Sequence, residues 1–289
     1  NHRSLKIATK VLDTAIENGI TFFDTGENYG SSEFQMGKLL KRYSAQKLVI
    51  ATKAGLRKNQ SRNFTSKNLM SSVKASINRM NVDKLDIFQV NKPSVDDWQN
   101  SELTDTLMEL KYRNKINLAG AIIGDIESGY KAIESKAIDC IQILYNLIYQ
   151  ETDELITLAH KAGLGIIVRS PLNSGLLSGS YTPNTKFKRT DARSKFFIGR
   201  IFQERLTALK HIQRELEIKD ANLLSYAISF ILSRPEISTV IPAASRPEQV
   251  VAYALAAKRK IKLSPSERAY IRQIVEKYIH LSSDKIQQT

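Results

Sequence analysis

The chain has 289 residues, 42% hydrophobic and 25% charged, ordinary globular proportions that exclude wholesale disorder and a collagen-like repeat. Its 43 Lys and Arg against 29 Asp and Glu give a formal net charge of +14. These basic residues are spread along the chain without interleaved aromatics, which argues against nucleic acid as a partner. No apolar run approaches the ~18 residues needed to span a membrane. Asn1 to Lys10 shows no charged-then-apolar export pattern. The lone cysteine, Cys140, forms no internal disulfide and belongs to no paired-cysteine metal motif. A cytoplasmic chain forming one domain over residues 1–289, with neither membrane nor metal, is expected.

In chain order, a helical period over Leu5 to Asn18 stops at Gly19, and the first β-type run is Ile20-Thr21-Phe22-Phe23. A helix is predicted over Ser32 to Tyr43, a strand over Lys47 to Thr52, and a helix over Ser66 to Met80 with Ser66 preceding it as cap. Strand Leu85 to Val90, helix Ser101 to Arg113, and strands Asn117 to Ile122 and Ile138 to Ile143 follow. Helix Thr152 to Ala162, closed by Gly163, leads to strand Gly165 to Val168. The polar, basic stretch Tyr181 to Arg193 reads as a long surface loop and a lid candidate. Helices Arg205 to Glu217 and Ala221 to Ser233, strand Ser238 to Ile241, and helices Pro247 to Ala257 and Pro265 to Tyr278 complete the series, the last with Pro265 in its first turn.

Most of the runs are apolar on both faces, as buried parallel strands require. Strand–helix alternation predicts a parallel α/β fold. A doubly wound sheet would want a Gly-x-Gly-x-x-Gly turn after its first strand, and none follows Phe23. Repeats of ~35 residues fit a (β/α)8 TIM barrel better. Seven strands are counted, and the chain opens in a helical pattern, so the barrel's N-terminal first strand is expected to be missing.

Barrel chemistry sits at the C-terminal ends of strands. Asp24 follows Phe23, Tyr29 comes five residues later, Lys53 follows Thr52, and Asn91 follows Val90. Strand ends often carry Asp and Asn as turn residues. Lys53 is different, because an ammonium at the mouth of an apolar strand needs a partner to offset its desolvation, and Asp24 could supply it. A phenol donates protons poorly at neutral pH, and a neighbouring cation favours its ionised form. Such a trio could protonate a carbonyl oxygen as hydride reaches the carbon. No side chain supplies hydride, so a nicotinamide cofactor would have to.

The chain resembles the aldo-keto reductases from about Leu5 to about Tyr278. The resemblance rests on Phe22-Phe23-Asp24-Thr25 through Tyr29-Gly30 with Ser32-Glu33, on Ala51-Thr52-Lys53, and on Tyr145-Asn146-Leu147. It also rests on the run from Arg169 to Gly179 and on Val240-Ile241-Pro242 leading to Pro247-Glu248-Gln249. It implies a TIM-barrel NADP(H)-dependent reductase of a small-molecule aldehyde or ketone, with Tyr29 as proton donor, Lys53 as its tuner and Asp24 as the partner of Lys53. By the same resemblance Gln142 contacts the nicotinamide carboxamide and Arg169 covers the ring. Ser170, Pro171, Leu172, Asn173 and Ser174 form the pyrophosphate loop. Ser245 and Gln249 lie near the adenosine, and Arg246 reads the 2′-phosphate.

The chain departs from the family pattern at several positions. Asn91 stands where most members have His to orient the carbonyl, as in the potassium-channel β subunits, which are slow reductases. Ile122 and Ile123 replace a polar pair beside the carboxamide, although both could simply continue a buried strand. Ala252 and Tyr253 replace a Glu-Asn pair near the adenosine. These departures support an alternative, a cofactor-binding or redox-sensing subunit with vestigial reductase activity. His160 and His211 fall in helical patterns and read as surface or interface residues. Trp98 either lines the substrate pocket or caps a helix, and the run Lys258-Arg259-Lys260 reads as a solvated helix end.

Overall fold

The computed structural model describes residues 2–56, 61–191, 193–197, 200–259 and 261–279. The chain begins with α1 (His2–Glu17), β1 (Phe22–Asp24), α2 (Ser32–Arg42), β2 (Val49–Ala54), α3 (Ser66–Met80) and β3 (Leu85–Asn91). It continues with α4 (Val95–Gln99), α5 (Ser101–Tyr112), β4 (Ile116–Ile122), α6 (Ile126–Glu134), β5 (Cys140–Leu144), α7 (Asp153–Lys161) and β6 (Gly165–Arg169). A short 3-10 segment, Asn173–Ser178, precedes α8 (Arg193–Phe196), α9 (Ile201–Glu215), α10 (Asp220–Leu232), β7 (Thr239–Ile241), α11 (Pro247–Arg259) and α12 (Pro265–Tyr278). Among the described residues there are seven strands, and their order in the sheet is the chain order. No helix of the described residues is long and apolar enough to cross a membrane.

Packing divides the chain into two compact units, the first made of residues 1–143, 155–167 and 244–251. In it β1 to β5 pair in parallel, with Asp24 opposite Ala51, Lys53 opposite Gln89, Gln89 opposite Gly120, and Gly120 opposite Cys140. Ile50, Ala51, Phe88, Val90, Ala119, Ala121 and Ile141 are buried, consistent with a sheet covered on both faces. Leu69 and Val73 of α3 and Leu103 and Leu107 of α5 supply helix cover. Close approach needs Gly37: a Cβ there would meet the Met80 carbonyl oxygen at 2.2 Å.

The second unit comprises residues 144–154, 168–243 and 252–289. Its core holds Tyr145 stacked on Phe230 at 5.6 Å, with Leu209, Ile212, Ile228 and Ile231 also buried. Burial pushes the Tyr145 phenol up to about 12. Its hydroxyl donates to Asp153 at 3.0 Å, and Asp153 also takes Arg234 and Arg272. Tyr181, Phe187, Phe197 and Phe202 pack as one aromatic cluster with centroids 5.2–6.3 Å apart, so the loop that begins at Tyr181 carries a hydrophobic anchor of its own.

All seven expected strands are present within two residues of their expected ends. The cap of α3 is corrected: Ser66 is its first helical residue and Thr65 is the N-cap. Four short elements were not expected, namely α4, α6, the 3-10 segment and α8. Helix α6 contains Gly129, which lowers helix propensity. The packing requires it, since a Cβ there would meet Leu155 Cδ2 at 2.6 Å. Lys260 and His280 lie outside the described residues.

Candidate active site

In the first unit, period-two alternation decides which side chains share a face of the sheet. Asp24 lies opposite Ala51, two residues before Lys53, and Lys53 lies opposite Gln89. Asp24, Lys53, Gln89, Asn91 and Gln142 therefore project from one face. Lys53 is 5% exposed and its ammonium is ion-paired to Asp24 Oδ2. The other carboxylate oxygen of Asp24 accepts from Gln89 Nε2 at 3.0 Å and from Gln142 Nε2 at 2.9 Å. Gln142 Nε2 also donates to Gln89 Oε1 at 3.1 Å. Gln89 and Gln142 are buried, so this carboxylate sits in a low-dielectric place with three donors fixing it.

Gly120 makes room for that network: a Cβ there would meet Cys140 Sγ at 2.7 Å and Gln89 Cγ at 3.0 Å. Gly26 does the same for the lysine, since a Cβ would meet Lys53 Cγ at 2.9 Å.

Tyr29 lies on the turn after β1, 57% exposed. The Lys53 ammonium stands 5.0 Å from its ring centroid, within cation–π range. The turn is tied to β2 by Thr25 N–H to Ala51 O at 2.8 Å, Glu27 N–H to Lys53 O at 3.2 Å, and the Asn28 amide to Leu56 O. It is tied to α2 by Thr25 Oγ1 to Ser32 Oγ at 2.7 Å. Glu33, buried in the first turn of α2, accepts from Thr52 Oγ1 at 2.6 Å and from Arg79 Nε at 2.5 Å. Asn91 ends β3, half-buried, with no side-chain hydrogen bond among the described residues.

Also in the first unit, Gln249 Oε1 accepts from Ser245 N–H at 2.9 Å, Ser245 Oγ at 3.2 Å and Arg246 N–H at 3.2 Å. Gln249 thus folds back over the start of α11, leaving the Arg246 side chain exposed. Ile122 and Ile123 are buried apolar residues at the end of β4. Trp98 is buried on α4, and its indole N–H has no partner among the described residues.

In the second unit, Arg169 ends β6 and is buried. Ser170, Asn173, Ser174 and Gly175 all have left-handed backbone, with φ of 53°, 45°, 55° and 93°. Three of these are not glycine, and backbone strain of this kind clusters at ligand sites. Pro171 and Leu172 are buried. The loop is braced by Asn146 Nδ2 donating to Ser170 O at 3.0 Å and by Tyr181 OH donating to Ser174 O at 2.9 Å. Asn173 Oδ1 accepts from Arg205 at 3.1 Å, while Asn173 Nδ2 is buried without a partner among the described residues. A strained loop with a buried, unsatisfied donor fits the oxygen-rich pyrophosphate of a nicotinamide cofactor. Tyr253 is buried, and its hydroxyl donates to Ala243 O at 3.2 Å.

Reasoning from the sequence gave no role to Gln89, to the Glu33–Arg79 pair or to Arg205. Gln89 left a usable signal: a Gln in an apolar strand, two residues before Asn91, must share its face.

The family model described as "Aldo/keto reductase family" matches residues 3–276. The NADH-specific methylglyoxal reductase of Escherichia coli (strain K12) is 27% identical over 286 residues, covering 92% of this chain and 87% of the relative. Aldo-keto reductase str7 of Strobilurus tenacellus is 28% identical over 275 residues, covering 92% and 80%. Among solved structures, the glycerol dehydrogenase AKR11B4 from Gluconobacter oxydans aligns with a TM-score of 0.80 at 23% identity, over 97% of this chain and 88% of that one. The holo form of the aldo-keto reductase AKR11C1 from Bacillus halodurans aligns at 0.76 and 23%, over 97% and 89%. These structures establish the fold as the (β/α)8 TIM barrel.

Proposed function

The chain belongs to the aldo/keto reductase family, and on that premise we propose that it reduces a small aldehyde or ketone to an alcohol with NADPH in the cytoplasm. The observation that carries this reading is the buried Asp24–Lys53 pair beneath the exposed Tyr29 ring. When bound, the reduced nicotinamide supplies the hydride. Tyr29 gives its phenolic proton to the carbonyl oxygen, and the Lys53 ammonium stabilises the phenolate left behind. Asp24, held by Gln89 and Gln142, keeps that ammonium in place.

Asn91 Nδ2 donates a hydrogen bond to the same carbonyl oxygen. Both amide protons of Gln142 are spent on Asp24 and Gln89, which leaves Gln142 Oε1 to accept from the cofactor's carboxamide. A bound cofactor would be held by Arg169 at the nicotinamide, by Ser170 to Ser174 at the pyrophosphate, by Ser245 and Gln249 at the adenosine, and by Arg246, whose planar fork would suit a 2′-phosphate.

Oxidation of NADPH by wild type and Tyr29→Phe tests the reading with a panel of aldehydes that includes methylglyoxal. The variant is expected to bind NADPH as wild type does and to lose about 10²–10⁴-fold in kcat. Equal turnover would sink the mechanism. The name of the Escherichia coli relative favours NADH instead, and Arg246→Ala decides between the two. An NADPH-preferring protein loses affinity for NADPH alone, whereas one that prefers NADH is unchanged.

Asn91 favours a second reading, a cofactor-binding or redox-sensing subunit with vestigial activity, as in the channel subunits. A turnover above about 1 per second, within the ordinary enzyme range, would overturn it.

A further inference from the structure

The Asn173–Arg205 pair lies in the second unit, and no family motif identified in this sequence includes Arg205. A guanidinium carries only donors, so the amide oxygen of Asn173 must be the atom facing Arg205 at 3.1 Å. That fixes the other end: Nδ2 is turned away from Arg205. It is buried and has no hydrogen-bond partner among the described residues, on a residue 8% exposed. Buried N–H groups are nearly always satisfied, and one that is not calls for an acceptor.

The backbone N–H of Asn173 is already spent on Ser170 O at 3.1 Å, so the donor left over at this residue is the side-chain amide, on a backbone held left-handed at Asn173 and Ser174 (φ 45° and 55°).

Arg205, half-buried on α9, interacts electrostatically with Tyr149, Glu151 and Glu204. Glu151 takes the Tyr149 hydroxyl at 2.7 Å, and Glu204 is shared with Arg200 at 3.4 Å. Arg169 acts on the same Tyr149. Arg205 and Arg169 thus both act on Tyr149, with Glu151 and Glu204 near Arg205.

We infer that Asn173 and Arg205 form a phosphate grip: Asn173 Nδ2 donates to an oxygen of a dinucleotide's pyrophosphate, while Arg205 locks the amide's orientation and adds positive charge. This rests on the proposed nicotinamide-dependent function, and it adds a side-chain contact and a positioning residue to the expected loop. Arg205 acts through Asn173.

The test is fluorescence titration of the full chain with NADPH, NADH and adenosine. Wild type is compared with Asn173→Ala, Arg205→Gln and Asn173→Asp, each checked by circular dichroism. Asn173→Ala and Arg205→Gln should each weaken both dinucleotides about tenfold, and adenosine, which lacks the phosphates, should be unaffected. Because the two residues act as a unit, the double variant Asn173→Ala/Arg205→Gln should lose less than the product of the single losses.

Should Arg205→Gln fail to fold, Asn173→Asp decides. It retains a partner for Arg205 but presents a carboxylate to the phosphate, and it should weaken both dinucleotides more than Asn173→Ala does. Unchanged dinucleotide affinity in the folded variants overturns the grip and leaves the proposed function standing. A wild type that binds neither dinucleotide overturns both.

Discussion

Asp24 and Lys53 are 11% and 5% exposed at their side chains, so neither charge is solvated well and each needs the other. Removing one member of a buried pair strands its partner, typically at a cost of about 3–5 kcal/mol. Lys53→Met should therefore unfold at markedly lower urea concentration than wild type, with the slope of the transition unchanged. An unaltered midpoint would show that water reaches the pair. Gly26→Ala acts by a different route. Its Cβ would push the Lys53 stem from 2.9 Å, so kcat should fall more than tenfold while cofactor affinity holds. Equal kcat would mean that the stem relocates without moving the ammonium. Asp24, Tyr29, Lys53 and Asn91 were legible as strand-end residues because chain position alone puts them there. The clamp of Gln89 and Gln142 on Asp24 was not, because its members are 65 and 118 residues from Asp24 in sequence.

At the scale of elements, α2 is set by two contacts. Glu33 binds its first turn to Thr52 and Arg79, and Gly37 lets its middle lie against the end of α3. Gly37→Ala drives a Cβ to within 2.2 Å of a backbone oxygen, and backbone cannot yield as a side-chain tip can. Its cost should reach the upper end of the overpacking range, about 3 kcal/mol, and should appear as a lower melting temperature. A melting temperature within one degree or so of wild type, roughly the effect of a few tenths of a kcal/mol in a chain this long, would mean that α2 slides freely on α3. Glu33→Gln keeps an acceptor for Thr52 but removes the charge facing Arg79. It should destabilise less than Glu33→Ala, and the reverse order in urea melts would count against the ion pair. Helix α12 was readable to the residue, since it has a sustained period and a Ser-Pro start, while α3 was readable to within one residue, its cap being Thr65 and not Ser66. Helix α6 was not, because its interior Gly129 answers to Leu155 rather than to local propensity.

Across the whole molecule, stability should fail on the alkaline side. Burial pushes the Cys140 thiol and the Tyr145 phenol each up to about 12, and it also raises the Tyr149 phenol. In each group the neutral form is the one folding favours, and the folded value lies above the unfolded one, ~8.5 for a thiol and ~10 for a phenol. Their contribution is therefore complete below the unfolded values and is lost as pH rises towards 12. The melting temperature should hold near neutrality, begin to fall above about pH 8.5 as the unfolded thiol ionises, and fall more steeply from about pH 10 as unfolded phenols follow. Tyrosinate absorbance should show a late class of phenols that ionise only as the chain unfolds. If all 11 tyrosines titrated together near their ordinary value in the folded protein, the burial of Tyr145 and Tyr149 would be refuted.

The sequence by itself determined the alternation of seven strands with helices, the family, and the residues standing at the strand ends. All of these follow from local period, turn chemistry and motif order, which are written along the chain. Only the tertiary structure decided that Asp24 is held from three sides, that Glu33 is buried against Arg79, and that the amide of Asn173 is turned by Arg205. Each of these is a contact between residues distant in sequence, where burial makes a polar group's partner obligatory but no local pattern says which partner the fold will bring.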